Sequence, residues 1–182
     1  MGADTNTFFT IGHSTRTIAE FVDLLQESHV DFVVDVRSMP RSRTNPQFNG
    51  ESLPETLAPW QIGYEHIAEL GGLRGKTRNM EASPNGHWRV RSFRNYADYA
   101  LTVPFAAGLA QLRKLGTQHC CAIMCAEAVW WRCHRRIITD YLLSQGEHVM
   151  HILGPLHVDE ASLTPGAVCR EGTIIYPAES PE

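Results

Sequence analysis

The 182-residue sequence has no long apolar run and no strong excess of charge. No segment approaches the roughly 18 to 20 consecutive apolar residues that a membrane-spanning helix needs, so we expect no contact with a membrane. Residues Met1 to Asn6 lack the basic and apolar segments of a secretion signal. The formal net charge of −4 is unlike that of proteins that coat nucleic acid without sequence preference. These absences predict a cytoplasmic protein.

Cysteines are few, and their spacing is not that of a disulfide framework or a zinc site. The chain has five, an odd number, and most of them are bunched between residues 120 and 133. This distribution is typical of reduced thiols. Cys125, Cys133, His134 and His13 are residue types that bind zinc, but no Cys-x-x-Cys motif accompanies them. We therefore predict no metal and no other cofactor.

Short apolar runs alternate along the chain with segments of helical periodicity. Strands are predicted at 8–12, 31–37, 63–67, 122–125 and 147–153, and helices at 17–30, 53–60, 93–115 (divided or kinked by Pro104) and from about residue 130. This alternation predicts an α/β fold, with a mainly parallel sheet flanked by helices in three Rossmann-like layers. We predict a single domain over residues 1–182, with a core of about 8–153. The tail, 154–182, is expected to be irregular and peripheral, with at most a strand at 173–176.

The segment from Ala122 to Ile138 joins the end of a buried strand to the start of a helix. The apolar run stops at Cys125, and helical spacing begins at about Trp130. Strand ends and helix N-termini meet at such turns with unpaired backbone N–H groups. In the common doubly wound order, the first strand lies beside the strand that ends at Cys125. One crevice is then expected to be lined by His13, Ser14, Arg37 and Cys125.

Several short motifs follow one another between residues 8 and 153. They are Ile11-Gly12-His13-Ser14, Asp35-Val36-Arg37-Ser38-Met39-Pro40-Arg41-Ser42-Arg43 with Phe48-Asn49, Tyr64-Glu65-His66, Leu70-Gly71-Gly72-Leu73-Arg74, Phe93-Arg94-Asn95-Tyr96-Ala97, and Met124-Cys125-Ala126-Glu127 with Cys133-His134-Arg135. In these motifs the chain resembles the DUF488 family, a domain family without a known function. The resemblance implies an α/β fold and supplies no substrate.

Trp130 stands where similar family members often have proline, a residue that favours the first position of a helix. The resemblance therefore implies that the helix begins near Trp130 and not at Ala126. A continuous helix would separate Cys125 from His134 by roughly 13 Å along its axis. A loop followed by a helix start brings the two residues together, and only this arrangement allows one site.

Cys125 is the leading candidate for a nucleophile, because a thiol beside a helix N-terminus can have a lowered pKa. Glu127 and His13 are the candidate acid or base, and Glu127 can also orient His134. These residues together predict a thiol-dependent hydrolase or transferase. The alternative is that Cys125 packs in the core as a small apolar residue.

Arginines follow several of the predicted strands, in loops where their side chains can bind phosphate or carboxylate. The predicted substrate-binding residues are Ser14, Asp35, Arg37, Arg43, Arg74 and Arg135. They indicate a small anionic or nucleotide-like substrate. The alternative for Arg37 is a structural ion pair with Asp35.

A binding module without catalysis is the second hypothesis, with nucleic acid as its partner. Basic residues are interleaved with aromatic ones in the middle of the chain, as on surfaces that stack single-stranded bases. The residues concerned are Arg78, Trp88, Arg89, Arg91, Phe93, Arg94 and Tyr96. Such mixtures are also common on ordinary protein surfaces.

Overall fold

Buried apolar strands and amphipathic helices alternate along the chain, which a computed structural model describes over residues 4–78, 80 and 82–181. The strands are β1 (Thr7–Gly12), β2 (Phe32–Asp35), β3 (Gly63–His66), β4 (Cys121–Cys125), β5 (His148–Gly154), β6 (His157–Glu160), β7 (Val168–Arg170) and β8 (Thr173–Ile175). The helices are α1 (Ile18–Glu27), α2 (Leu53–Leu57), α3 (Arg91–Tyr99), α4 (Val103–Gly116) and α5 (Arg135–Ser144). None of these described helices is both long and apolar enough to cross a membrane.

A six-stranded sheet forms the centre of the fold, with the strand order β3-β2-β4-β1-β5-β6. Neighbouring strands are parallel from β3 to β5, and β6 alone is antiparallel to its neighbour. Strands β7 and β8 form a separate hairpin. The predicted α/β fold with a mainly parallel sheet is confirmed, and so is the position of β1 beside β4.

Helices cover both faces of the sheet, which is why the parallel strands are apolar along nearly their whole length. On β4, Ile123 and Cys125 belong to the apolar cluster formed with α3, α4 and α5. Ala122 and Met124, which alternate with them, belong to the cluster formed with α1 and α2. The alternation of side chains along a strand thus directs Cys125 towards the face that carries α5.

Pro104 divides the helical segment predicted over residues 93–115, which is one of the two outcomes expected from its position. It lies in the first turn of α4, where the missing N–H group would have no helical partner. The result is two separate helices, α3 and α4.

The C-terminal tail contributes buried side chains to the core. Ile174 of β8 and Tyr176 are fully buried. The Tyr176 hydroxyl donates a hydrogen bond to Asp140 Oδ2 at 2.7 Å, and its backbone N–H donates to Asn85 Oδ1 at 2.8 Å. The strand expected at 173–176 is β8, but the tail also forms β6 and β7, so the expectation of at most one strand there was wrong. The sequence pattern gave no indication that the tail is buried.

Candidate functional site

A cavity of about 500 Å³ opens where β1, β2 and β4 end. The backbone N–H of His13 donates to the Cys125 carbonyl at 2.9 Å, and Val36 N–H donates to the Met124 carbonyl at 3.0 Å. Gly12 permits this convergence, because a Cβ atom at its position would lie 1.8 Å from the Glu127 carbonyl oxygen. Among the predicted site residues, those that line the cavity are His13, Arg37, Cys125, Glu127 and His134.

Two thiols lie against each other at the cavity wall. The Sγ atoms of Cys125 and Cys133 are 2.7 Å apart, and both side chains line the cavity although they are almost buried. The thiol pair, as we call Cys125 and Cys133, forms because the chain between them does not continue as a helix. A 3₁₀ turn spans Trp130–Arg132, Cys133 is extended, and α5 begins at Arg135. The helix start predicted near Trp130 is therefore only a turn, and the loop brings Cys125 and His134 to one cavity.

His134 is oriented so that one ring nitrogen faces the thiol pair. Its Nε2 lies 2.6 Å from the Val36 carbonyl oxygen, and its Nδ1 lies 3.4 Å from Cys133 Sγ. A carbonyl oxygen only accepts hydrogen bonds, so Nε2 must carry a proton to donate to it. In the neutral imidazole, Nδ1 is then the nitrogen that can take a proton from Cys133.

Arg135 lies behind the thiol pair and is 1% exposed. Its Nη2 donates to the Glu127 carbonyl at 2.6 Å and its Nη1 donates to Thr10 Oγ1 at 3.3 Å. No carboxylate of the described residues forms an ion pair with it, and its buried Nε has no partner among them. A buried cation without a counter-charge is costly, so the neighbouring sulfur atoms are the natural place for one negative charge.

The two thiols have opposite pKa shifts. Burial and the hydrogen bond with Cys133 raise the pKa of Cys125 well above its ordinary value. Burial also opposes ionisation of Cys133, but the hydrogen bond from Cys125 and the nearby His134 and Arg135 hold the pKa of Cys133 well below its ordinary value. The backbone N–H of Arg135, the first residue of α5, points at Cys133 Sγ at 3.5 Å. The helix N-terminus predicted to act on Cys125 therefore acts on Cys133, because α5 starts late.

Arg37 is held rigidly at the end of β2. Its Nε and Nη2 donate to the two carboxylate oxygens of Asp35 at 2.9 and 2.7 Å, and Nη2 also donates to the Phe48 carbonyl at 2.6 Å. Its Nη1 lies 3.3 Å from His13 Nε2 and keeps one further hydrogen for a ligand. The Tyr64 hydroxyl donates to Asp35 Oδ2 at 2.5 Å, and so completes the set of groups that hold Asp35.

His13 is a buried, neutral partner of Arg37. Its Nδ1 donates to the Ser14 carbonyl at 2.9 Å, which leaves Nε2 as an acceptor for Arg37. Its ring stacks on Phe48 with the ring centroids 4.5 Å apart. Burial lowers the pKa of His13, the hydrogen bond to the Ser14 carbonyl opposes this, and the charge on Arg37 lowers it further.

The other predicted site residues do not line the cavity. Asp35 and Arg135 lie behind it, where they hold Arg37 and the thiol pair. Ser14 adjoins His13 at the end of β1. Arg43 is exposed, and Arg74 lies over the Tyr99 ring at 3.8 Å and donates to the carbonyls of residues 68 and 71.

The nucleic-acid hypothesis relied partly on aromatic residues that the structure places in the core. Trp88 is 6% exposed and Tyr96 is 1% exposed, so neither offers a face for a base to stack on. Phe93 lines the cavity and stacks on Trp88 with centroids 5.0 Å apart.

From the sequence, Cys133 was considered only as a metal ligand. In the structure, the surroundings of Cys133 favour a thiolate more than those of Cys125 do. The signal that could have singled out Cys133 was its neighbour in the sequence, His134, a residue type that can take the proton of a thiol. Within the described residues, no group of three or more His, Cys, Asp or Glu side chains has the arrangement of a metal site.

The fold and the site together define a class of protein. It is an α/β protein with a mainly parallel sheet and a crevice lined by cysteine and histidine at the ends of its strands. The sequence model of the family described as "Domain of unknown function DUF488" matches residues 17–142. The chain belongs to the DUF488 family. No curated protein and no solved structure matched the chain.

Proposed function

We propose that this protein is an enzyme whose thiol pair supplies a thiolate nucleophile for a reaction on a small anionic substrate. The observation that carries the proposal is the 2.7 Å contact between Cys125 and Cys133 at the wall of a cavity. A cavity of about 500 Å³ is in the size range of small-molecule sites. The reaction is that of a thiol-dependent hydrolase or transferase.

Cys133 is the nucleophile and Cys125 is its hydrogen-bond donor. Three groups favour negative charge on Cys133 Sγ: the Cys125 S–H group, the first N–H of α5 and the buried Arg135 guanidinium. Each of these is a recognised way to stabilise a thiolate. Cys125 takes part in the site, but as the protonated partner and not as the attacking sulfur.

His134 moves the proton of the reaction. Its Nδ1 takes the Cys133 proton before attack, and it returns the proton to the leaving group when the covalent thiol adduct forms. In the second step, water (for a hydrolase) or an acceptor molecule (for a transferase) replaces the sulfur. Glu127 lines the cavity, and its carboxylate has no hydrogen-bond partner among the described residues, so this group is available to accept the proton of the incoming group.

Positive groups surround the cavity and favour an anionic substrate. Arg37 offers an Nη1 hydrogen, and Arg132 lines the cavity without an ion pair to any carboxylate of the described residues. Helix α3 begins beside the cavity with Ser92 and Phe93 in the lining and has no side-chain cap, so its first N–H groups add positive potential. Phosphate or carboxylate groups suit this set of donors.

Alkylation by two reagents of similar size tests the nucleophile and the anion preference together. Iodoacetate carries a charge and iodoacetamide does not, so the ratio of their rates at Cys133 reports the local potential. We expect Arg132→Gln to lower this ratio about fivefold, the effect of about 1 kcal/mol for one charge at about 4 Å in water. Rates are read for each cysteine by peptide mass spectrometry at low salt.

Arg170→Gln is the matched control, because Arg170 is exposed on β7 and does not line the cavity. It should leave the ratio unchanged. An equal ratio in the wild type and in R132Q would count against an anionic substrate. Alkylation of Cys133 no faster than that of Cys120 would count against the nucleophile, and the protein would then be a binding module.

A further inference from the structure

The structure assigns a second chemistry to the thiol pair: Cys125 and Cys133 form a redox-active dithiol that reduces a hydroperoxide and closes to a disulfide. In the proposed reaction Cys125 only donates a hydrogen bond to Cys133, a role that a hydroxyl group could also fill. A thiol in the same place can in addition form a covalent bond with Cys133 Sγ.

The geometry of the thiol pair is close to that of a disulfide. The Sγ atoms are 2.7 Å apart, against about 2.05 Å in a disulfide bond, so closure needs a movement of less than about 1 Å. Cys125 ends β4, Cys133 has an extended backbone before α5, and the loop 126–132 joins them. A movement of this size can be taken up by side-chain rotation.

The remaining described thiols have no such neighbour. Cys120 Sγ lies 4.0 Å from the Ser28 carbonyl, and Cys121 Sγ lies 3.8 Å from the His119 carbonyl. Cys169 is exposed on β7. Cys120, Cys121 and Cys169 serve as internal controls for oxidation, since they carry the same thiol group as the thiol pair but lack a second thiol beside it.

A small hydroperoxide fits the access to the thiol pair. Cys125 is 3% exposed and Cys133 is 6% exposed, and the cavity is their route to solvent. A bulky disulfide reagent must place its own sulfur in line with Cys133 Sγ, whereas a peroxide needs room for only two oxygen atoms. Oxidation to a sulfenic acid also requires a thiolate, which Arg135 and α5 favour at Cys133.

The reaction balances in two steps. The Cys133 thiolate, whose proton His134 Nδ1 has taken, attacks the peroxide oxygen that carries hydrogen, and the O–O bond breaks. Cys133 becomes a sulfenic acid, and the other oxygen receives the proton from His134 and leaves as an alcohol or as water. Cys125 then loses its proton and attacks Cys133 Sγ, the S–S bond forms, and the hydroxyl leaves as water with that proton. Two thiols are oxidised to one disulfide, the peroxide is reduced, and an external dithiol can restore the thiols.

Closure of the disulfide has a consequence that rests on the proposed function. The disulfide removes the Cys133 thiolate, so a hydroperoxide should switch off the proposed reaction until a dithiol restores it. The formation of the disulfide itself does not require the proposed hydrolase or transferase reaction.

Hydrogen peroxide is the probe for the experiment, followed by blocking of free thiols and non-reducing peptide mass spectrometry. In the wild type we expect a disulfide between Cys125 and Cys133 that dithiothreitol reverses. Cys125→Ser should accumulate a sulfenic acid on Cys133, which dimedone labels. Cys133→Ser should give neither a disulfide nor dimedone labelling at Cys125. Cys120→Ser, the matched control, should behave as the wild type.

An unoxidised thiol pair in the wild type, with no dimedone labelling in C125S, would overturn the inference. So would disulfides that join other cysteines at the same rate. Iodoacetamide rates measured on the same samples separate the two proposals. Fast alkylation of Cys133 without a disulfide overturns the redox chemistry alone. A disulfide with slow alkylation of Cys133 supports the redox chemistry and counts against the nucleophile.

Discussion

Arg135 is a buried guanidinium that forms no ion pair with any carboxylate of the described residues. Cys125 and Cys133 lie beside it, and the nearness of these thiols raises the pKa of Arg135 against the effect of burial. The proposed Cys133 thiolate would supply the counter-charge that this buried cation otherwise lacks.

His151 predicts how stability depends on pH. The residue is 1% exposed, its Nδ1 lies 2.6 Å from Thr10 Oγ1, and its ring stacks on that of Trp130 with the ring centroids 4.3 Å apart. Burial, and then the charge on Arg135, lower the pKa of His151 to about 3. In the unfolded chain it takes up a proton near pH 6.5, so stability falls as the pH drops from about 6.5 towards 3.

Substitution His151→Gln should make the free energy of unfolding less dependent on pH between about 6.5 and about 3. The His151 imidazole changes the free energy of unfolding by up to about 1.4 kcal/mol per pH unit in this range, because a difference of one pKa unit corresponds to about 1.4 kcal/mol. Urea denaturation at a series of pH values between about 4 and about 7 measures the slope. His148→Gln is the control, since His148 is partly exposed and paired with Glu160. Equal slopes for H151Q and the wild type would contradict the account.

At the scale of elements, the turn after β3 holds His134 in place. Gly71 and Gly72 precede Leu73, whose backbone N–H donates to Ser38 Oγ at 2.8 Å. A Cβ atom on Gly72 would lie 2.4 Å from His134 Nδ1, and one on Gly71 would lie 2.6 Å from Ser38 Oγ. Only glycine lets this turn lie against the imidazole.

Substitution Gly72→Ala should therefore push the His134 ring away from Cys133. We expect the pH midpoint of Cys133 alkylation to rise by about one unit, the effect of about 1.4 kcal/mol on thiolate formation. Gly75→Ala is the matched control in the same loop, because a Cβ atom there meets nothing within 4 Å. A G72A midpoint equal to that of G75A would show that His134 does not act on Cys133.

Helix α5 shows which part of an element a sequence pattern can predict. The periodicity after Trp130 indicated a helix, and a helix is present from Arg135. Its start was placed too early, because a 3₁₀ turn has nearly the same spacing of side chains as an α-helix over one turn. Because of that error of a few residues, the sequence-based prediction placed the helix N-terminus beside Cys125, whereas in the structure it lies beside Cys133.

At the scale of the whole molecule, the parallel sheet was predictable and the docking of the tail was not. Only a few sheet topologies are compatible with strongly apolar strands that alternate with helices. The sequence was therefore enough to predict that His13, Arg37 and Cys125 lie close together. The burial of Tyr176 depends on hydrogen bonds to Asn85 and Asp140, which are distant in sequence. No local pattern carries that information.

Substitution Tyr176→Phe should destabilise the whole protein by about 1 to 3 kcal/mol, because Asp140 loses a buried hydrogen-bond donor. Chemical denaturation measures the change. Tyr99→Phe, which removes a hydroxyl bonded to the Glu69 carbonyl at an exposed position, should have a much smaller effect. Equal effects of the two substitutions would mean that the tail adds little to the fold.

The most direct test of the account is the pH dependence of Cys133 alkylation by iodoacetamide. We predict a midpoint well below the ordinary thiol value of about 8.5 in the wild type. Arg135→Met should raise the midpoint, and Arg135→Lys, which keeps the charge, should retain most of the lowering. A wild-type midpoint at or above about 8.5, or one that Arg135→Met leaves unchanged, would contradict a thiolate held by Arg135.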